Sequence, residues 1–136
     1  MKWSFQSVDA GSAHAARSGL LAYLKSRADG SSDLEAAIVI FGELVGNVVR
    51  HAPGPISIEL TWDRNLAVLR VADKGPGCTW KGPGLPEDMT AESGRGLFIA
   101  NSLAVELQVE SQPDRGTLVT AWLPVRLDER LRSTAC

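Results

Sequence analysis

Glu43 and Asn47 lie four residues apart in a segment whose apolar residues recur at helical spacing, so both side chains stand on one face of a predicted helix. A carboxylate and a carboxamide at the edge of a buried face suit a hydrated Mg²⁺ ion, because this hard cation takes oxygen ligands and often binds phosphate oxygens as well. Glu43 could instead accept the proton of an attacking hydroxyl group as a general base. The pair also fits an ordinary polar helix edge with a local hydrogen bond.

A second candidate is Asp73, which ends a predicted strand and precedes Gly75 and Gly77. Its carboxylate can accept hydrogen bonds from an amino group, such as the exocyclic amine of adenine. The two glycines allow backbone torsions and close approaches that other residues cannot adopt. A tight turn in which Asp73 bonds its own backbone would use the same residues. The segment therefore predicts either a base-recognition site or a turn.

The segment Gly94-Arg95-Gly96-Leu97 follows a long loop and opens a third predicted helix. The N-terminus of a helix presents free amide groups to phosphate, although the glycines also fit a simple hinge between loop and helix. The third glycine and the parallel βαβ unit of a dinucleotide fold are missing, and so is the Gly-x-x-x-x-Gly-Lys of a Walker motif. The two commoner nucleotide-binding signatures therefore do not apply.

The composition is that of an ordinary globular chain. The 136 residues predict one domain, with 44% apolar and 22% charged residues. A formal net charge of −2 gives no electrostatic basis for binding nucleic acid or an anionic membrane. We find neither an apolar run long enough to span a bilayer nor a secretory signal, so we expect a cytoplasmic protein. Cys78 and Cys136 are then expected to be free thiols.

Alternation and helical spacing predict the elements that must position these residues. Asp29 to Asp33 is expected to be a loop in which Ser32 or Asp33 caps the second helix. The fold class predicted is α+β, a two-layer α/β sandwich with a mixed, mostly antiparallel sheet that helices cover on one face. The predicted strands cover residues 3–8, 56–62, 66–71, 106–111 and 117–123, and the predicted helices cover 11–28, about 33–51 and 96–103.

Four motifs occur in a fixed order along the chain: Glu43 with Asn47, Asp73-x-Gly75-x-Gly77, Gly94-x-Gly96, and Gly116-Thr117. In this order they resemble the N, G1 and G2 boxes of the GHKL ATPase superfamily. Within that superfamily the chain most resembles the small serine-kinase anti-sigma factors of the RsbW type, from the first strand to about Leu123. The fold implied is the Bergerat, or histidine-kinase-ATPase-like, sandwich.

The resemblance implies roles at the phosphate end of an ATP site. Asn47 would bind Mg²⁺, and Glu43 would act as base or orient the nucleophile. Contacts to the phosphates are implied for one further helix residue and for the glycine-containing segment: Arg50, Gly94, Arg95, Gly96 and Leu97.

At the adenine end, Asp73 would accept a hydrogen bond from the base, while Gly75 and Gly77 would shape the pocket wall. Thr117 would help hold the adenine edge. The loop 78–93 would be a short ATP lid. The ATP-binding kinase domain would comprise residues 1–125, followed by a polar tail at 126–136.

The resemblance implies an ATP- and Mg²⁺-dependent serine/threonine protein kinase that phosphorylates an anti-anti-sigma partner of the STAS type and sequesters a sigma factor. A homodimer is also expected by resemblance. One alternative is a nucleotide-gated binding module of the same fold that transfers no phosphate. Another is a detached histidine-kinase catalytic domain, which would need a separate phosphoacceptor helix; His14 has no acidic neighbour suited to that role.

Overall fold

The secondary structure was determined from a computed structural model of the chain, which describes residues 1–6, 10–51, 54–73, 92–112 and 116–132. Strands and helices alternate in groups along these ranges. The elements are β1 (Lys2–Gln6), α1 (Ala10–Arg27), α2 (Leu34–His51), β2 (Pro55–Asp63), β3 (Leu66–Asp73), α3 (Glu92–Leu103), β4 (Glu106–Gln112), β5 (Gly116–Arg126) and α4 (Glu129–Arg132).

The five described strands form one sheet in the order β1-β2-β3-β5-β4. Every pair of neighbours is antiparallel, so the described sheet contains no parallel pair and the mixed character that we expected is not observed. Buried side chains of α1, α2 and α3 share a single core cluster with one face of the sheet. The predicted α+β sandwich is thereby confirmed.

The second helix follows its sequence pattern closely. Asp33 caps it, since its Oδ1 accepts a hydrogen bond from the amide of Ala36 at 3.0 Å. Phe41 and Leu44 are buried from its apolar stripe, and burying a side chain of this kind contributes about 1.5–3 kcal/mol. None of the described helices, α2 included, is long and apolar enough to cross a membrane.

The register of the sheet separates two faces. Ile58, Val71 and Val119 are aligned across three strands and belong to the core beneath the helices. Because side chains alternate along a strand, Glu59 of β2 and Arg70 of β3, each next to a core residue in its own strand, lie on the opposite face. There Glu59 pairs with Lys2 at 3.3 Å. The face towards the helices is therefore the one that carries the apolar core.

Two boundaries differ from the predictions by three residues or more. α3 begins at Glu92 rather than Gly96, because packing of this helix on α2 overrides the low helix propensity of its glycines. β5 runs past Leu123 to Arg126, since β3 pairs with it as far as Arg126 and the α1–α2 connection supplies hydrogen-bonding partners on the other side, beyond the end of β4. Leu127, at the start of the predicted tail, is buried.

Candidate functional site

Asp73 and Thr117 are direct cross-strand partners at one end of the sheet. Val71 and Val119 precede and follow them by two residues in the adjoining strands and are part of the core, so alternation places Asp73 and Thr117 on the helix-facing side as well. Thr117 is only 7% exposed, and Asp73 is half-buried. A carboxylate and a hydroxyl group are thus held side by side under the helical layer.

Asn47 is a buried polar residue on α2, with 9% of its surface exposed. No hydrogen-bond donor among the described residues reaches its buried Oδ1 atom. Leaving a buried acceptor unsatisfied costs about 1–3 kcal/mol, so native structures rarely do this without a reason. Glu43 lies one turn earlier and is half-buried. The two side chains therefore sit at the margin of the core stripe, as the sequence predicts.

α2 packs on β5, the strand that carries Thr117. The amide of Asp33, just before α2, donates to the carbonyl of Pro124 in β5 at 2.8 Å. From this shared point, α2 rises about 21 Å to Asn47, and β5 runs back about 23 Å to Thr117. Both segments start at the same junction and have similar lengths, and α2 shares the core on the helix-facing side of the sheet, so we infer that Asn47 and Thr117 lie at a similar level on that side.

The orphaned Oδ1 of Asn47 is compatible with the predicted metal site. Mg²⁺ takes oxygen ligands and usually keeps waters and phosphate oxygens as its remaining partners. A single carboxamide oxygen at the rim of the core can supply one such ligand. The residues present therefore fit Mg²⁺, and the assignment itself stays a prediction.

The glycine-containing segment lies differently from its predicted position. Gly94 and Gly96 are within α3, so the free amides of its first turn belong to residues 92–94 rather than to Gly96 and Leu97. Gly96 is buried, and Leu97 is fully buried in the core. The physical reason is that α3 packs on α2 with Leu97 in the shared core, which stabilises helical structure through the glycines.

Several predicted site residues lie wholly or partly outside the described residues. Gly75, Gly77 and the part 78–91 of the predicted lid are among them, whereas Glu92 and Ser93 of that lid belong to α3. The backbones of Arg50 and Arg95 lie in α2 and α3, but their side chains are outside the described part. Their predicted phosphate contacts stay predictions.

The structure adds one neighbour that the sequence analysis did not single out. Ile56 of β2 is the cross-strand partner of Asp73 on the side away from Thr117, and it is almost fully buried. An apolar side chain beside a carboxylate and a hydroxyl suits a flat aromatic base with a polar edge. In the sequence, Ile56 could have been identified as the first apolar residue of an alternating strand.

Comparison with known proteins gives one match and one negative result. Residues 7–122 match the family described as the histidine kinase-like ATPase domain. No curated protein matches the chain. The matched range includes α2, the Asp73–Thr117 pair and α3, which are the elements that build the candidate site. The chain therefore belongs to the family of histidine kinase-like ATPase domains, a family of ATP-binding proteins of the GHKL type.

Proposed function

We propose that this chain is an ATP- and Mg²⁺-dependent serine/threonine protein kinase that acts as an anti-sigma factor. It would phosphorylate a STAS-type anti-anti-sigma partner and, in its other complex, sequester a sigma factor. Membership of an ATP-binding family supports the first half of this proposal, namely the use of ATP. The finer assignment rests on the resemblance of the ordered motifs to the serine-kinase anti-sigma factors.

The observation that carries the proposal is the orphaned, buried Oδ1 of Asn47 on α2, the helix that packs on the strand of Thr117. Asp73 would orient ATP by accepting a hydrogen bond from the adenine amino group, and Thr117 would hold the same edge of the base. Asn47 would hold the metal, and when bound Mg²⁺ would neutralise charge on the phosphate oxygens.

Glu43 would complete the chemistry as the general base. Phosphoryl transfer depends mostly on positioning and on stabilising charge, and the remaining requirement is a group that takes the proton of the attacking hydroxyl. Glu43 stands one turn from Asn47 on the same side of α2, which suits a carboxylate that must face the transferred phosphate. The free amides of the first turn of α3 would take negative charge as it develops.

The test uses radiolabelled ATP and candidate STAS-type and sigma-factor partners, taken from the genes that flank this one. We expect label on a serine or threonine of the STAS-type partner. Glu43→Gln should abolish transfer while ATP still binds. Glu35→Gln is the matched control, because Glu35 is an exposed carboxylate in the first turn of the same helix.

The other outcomes would point to the alternatives. If ATP changes partner binding but no label is transferred, the chain is a nucleotide-gated binding module. If label appears only on a histidine of a separate helical protein, the chain is a histidine-kinase catalytic domain. If the parent chain does not bind ATP, the proposal is wrong at its first step.

A further inference from the structure

The connection between α1 and α2 is hydrogen-bonded to the C-terminal end of β5, the end opposite to Thr117. We call residues 27–33 and 124–128 the clamp. Ala28 and Leu127 form an isolated antiparallel bridge. Three main-chain hydrogen bonds of 2.8 Å join the two segments, from Asp29 N to Arg126 O, from Asp33 N to Pro124 O and from Asp128 N to Arg27 O.

Ser32 supplies the side-chain link of the clamp. Its Oγ accepts a hydrogen bond from the amide of Arg126 at 2.9 Å. The same Oγ lies 3.2 Å from Asp29 Oδ1, to which its hydroxyl proton can be donated. β4 pairs with β5 only as far as Trp122, so the amide of Arg126 has no strand partner on that side. The serine hydroxyl supplies the hydrogen-bond acceptor that the described part of β4 does not offer to this amide.

The clamp joins the start of α2 to the end of β5, the two elements that carry Asn47 and Thr117 of the candidate site. Asp33 caps α2, which carries Glu43 and Asn47 towards the other end of the sheet. β5 runs from the clamp back to Thr117. At about 21 Å from the clamp, a tilt of α2 by about 3° would displace Asn47 by about 1 Å. A displacement of that size is enough to impair binding of a triphosphate and its metal.

Core packing and the clamp both restrain this tilt. Phe41 and Leu44 hold α2 against the sheet through apolar contacts, whose free energy depends on buried area rather than on direction. Hydrogen bonds are directional and weaken as their distance and angle depart from the preferred values. The clamp therefore adds a directional restraint on α2 relative to β5 at the start of the helix.

We propose that Ser32 is a positioning residue: by joining the start of α2 to the end of β5, it sets the level of Asn47 relative to Thr117 across the nucleotide site. This inference rests on the proposed function, since it assigns a purpose to the alignment of those two residues. Ser32 does not touch the site, and its effect passes through the direction of α2.

The experiment compares Ser32→Ala with two matched variants. Ser31→Ala removes a neighbouring hydroxyl that bonds Asp29 at 2.6 Å but makes no described contact with β5. Ser32→Thr keeps the hydroxyl at the clamp. Binding of a non-hydrolysable ATP analogue with Mg²⁺ is measured well below the melting temperature. We expect Ser32→Ala to weaken binding about three- to tenfold, because the binding-competent direction of α2 becomes less populated. Ser31→Ala should leave binding unchanged, and Ser32→Thr should restore it.

A second measurement keeps this inference separate from the proposed function. Residual dipolar couplings report the orientation of α2 relative to β5 in the protein without nucleotide. A changed orientation in Ser32→Ala alone supports the positioning role even if the parent chain fails to bind ATP, in which case the proposed function fails by itself. An unchanged orientation, or a lower melting temperature with unchanged affinity, would overturn the positioning role and leave Ser32 a stabilising residue only.

Discussion

Asp73, the last residue of β3, lies directly opposite Thr117, the second residue of β5. They come together because β5 inserts between β3 and β4 instead of following β4 at the edge of the sheet. Opposite residues of an antiparallel pair have Cβ atoms about 4.5–5.5 Å apart, which allows two polar groups to share one ligand. The predictions below concern this pair, Asn47, the β2–β3 turn and the start of α4.

Replacing Asp73 by Asn should weaken binding of ATP and reduce discrimination between adenine and guanine nucleotides. The carboxylate would no longer accept a charge-assisted hydrogen bond, which is worth about 1.5–3 kcal/mol, or about tenfold to a hundredfold in affinity. Isothermal titration with ATP and GTP analogues measures both effects. Equal affinities of the parent and the variant for ATP would exclude Asp73 from the adenine site.

Thr117 and Thr120 provide a matched pair on one strand. Both are 7% exposed, but they face opposite sides of the sheet. Thr117→Val should weaken nucleotide binding about tenfold, through loss of the hydroxyl that we propose to hold the adenine edge. Thr120→Val should leave the affinity unchanged, because it removes the same group from the face opposite to the core that α1, α2 and α3 share. Similar affinities of the two variants would mean that the site does not extend to β5.

Replacing Asn47 by an apolar residue should raise the stability of the protein and remove the Mg²⁺ dependence of nucleotide binding. Asn47→Leu removes the orphaned oxygen and keeps the number and branching of the side-chain heavy atoms, so we expect the free energy of unfolding to rise by about 1 kcal/mol. Binding of the nucleotide should at the same time lose its dependence on Mg²⁺. Thermal melts and titrations with and without Mg²⁺ measure the two effects, and Asn47→Asp is the control that keeps an oxygen ligand. A leucine variant that still binds Mg²⁺ with the nucleotide would contradict the assignment.

The β2–β3 turn contains backbone strain that can be removed. Arg64 has φ 51° and Asn65 has φ 69°, a left-handed conformation that disfavours most side chains. Arg64→Asn should raise the free energy of unfolding by about 0.5–1 kcal/mol, since asparagine tolerates this conformation. Arg64→Ala is the control, because it removes the charge and keeps the strain. Chemical denaturation distinguishes the two, and equal gains would attribute the effect to charge.

Asp128 links stability to pH at the start of α4. Hydrogen bonds from the Arg130 side chain and amide, together with its positive charge, lower the pKa of Asp128 from 3.8 to about 2. The stabilisation is therefore complete above pH 3.8 and is lost as the pH falls through about 2. Asp128→Asn should lower the melting temperature at pH 7, and its difference from the parent should shrink below pH 4. A difference that is independent of pH would assign the effect to capping rather than to charge.

Local pattern was sufficient for much of the fold. The apolar spacing from Ile38 to Val48 predicts α2, and Asp33 is its cap, as expected. The alternation in β2 predicts which of its side chains are buried. These features depend on contacts within a few residues, or on a periodic pattern of apolar residues that is the same whatever surface the element packs on. A single segment of the sequence is therefore enough to predict them. The same periodicity places Glu43 and Asn47 on one side of the helix.

Other features depend on contacts between segments that are distant in sequence. The pairing of Asp73 with Thr117 requires the order of strands, and the orphaned Oδ1 of Asn47 requires the packing of α2 on the sheet. The extension of β5 to Arg126 depends on pairing with β3 and on hydrogen bonds to the α1–α2 connection. The sequence by itself determined the helices, the hairpins and the residue types of the site. The tertiary structure alone decided which of those residues meet, because register and packing are set by long-range hydrogen bonds and burial that no local period encodes.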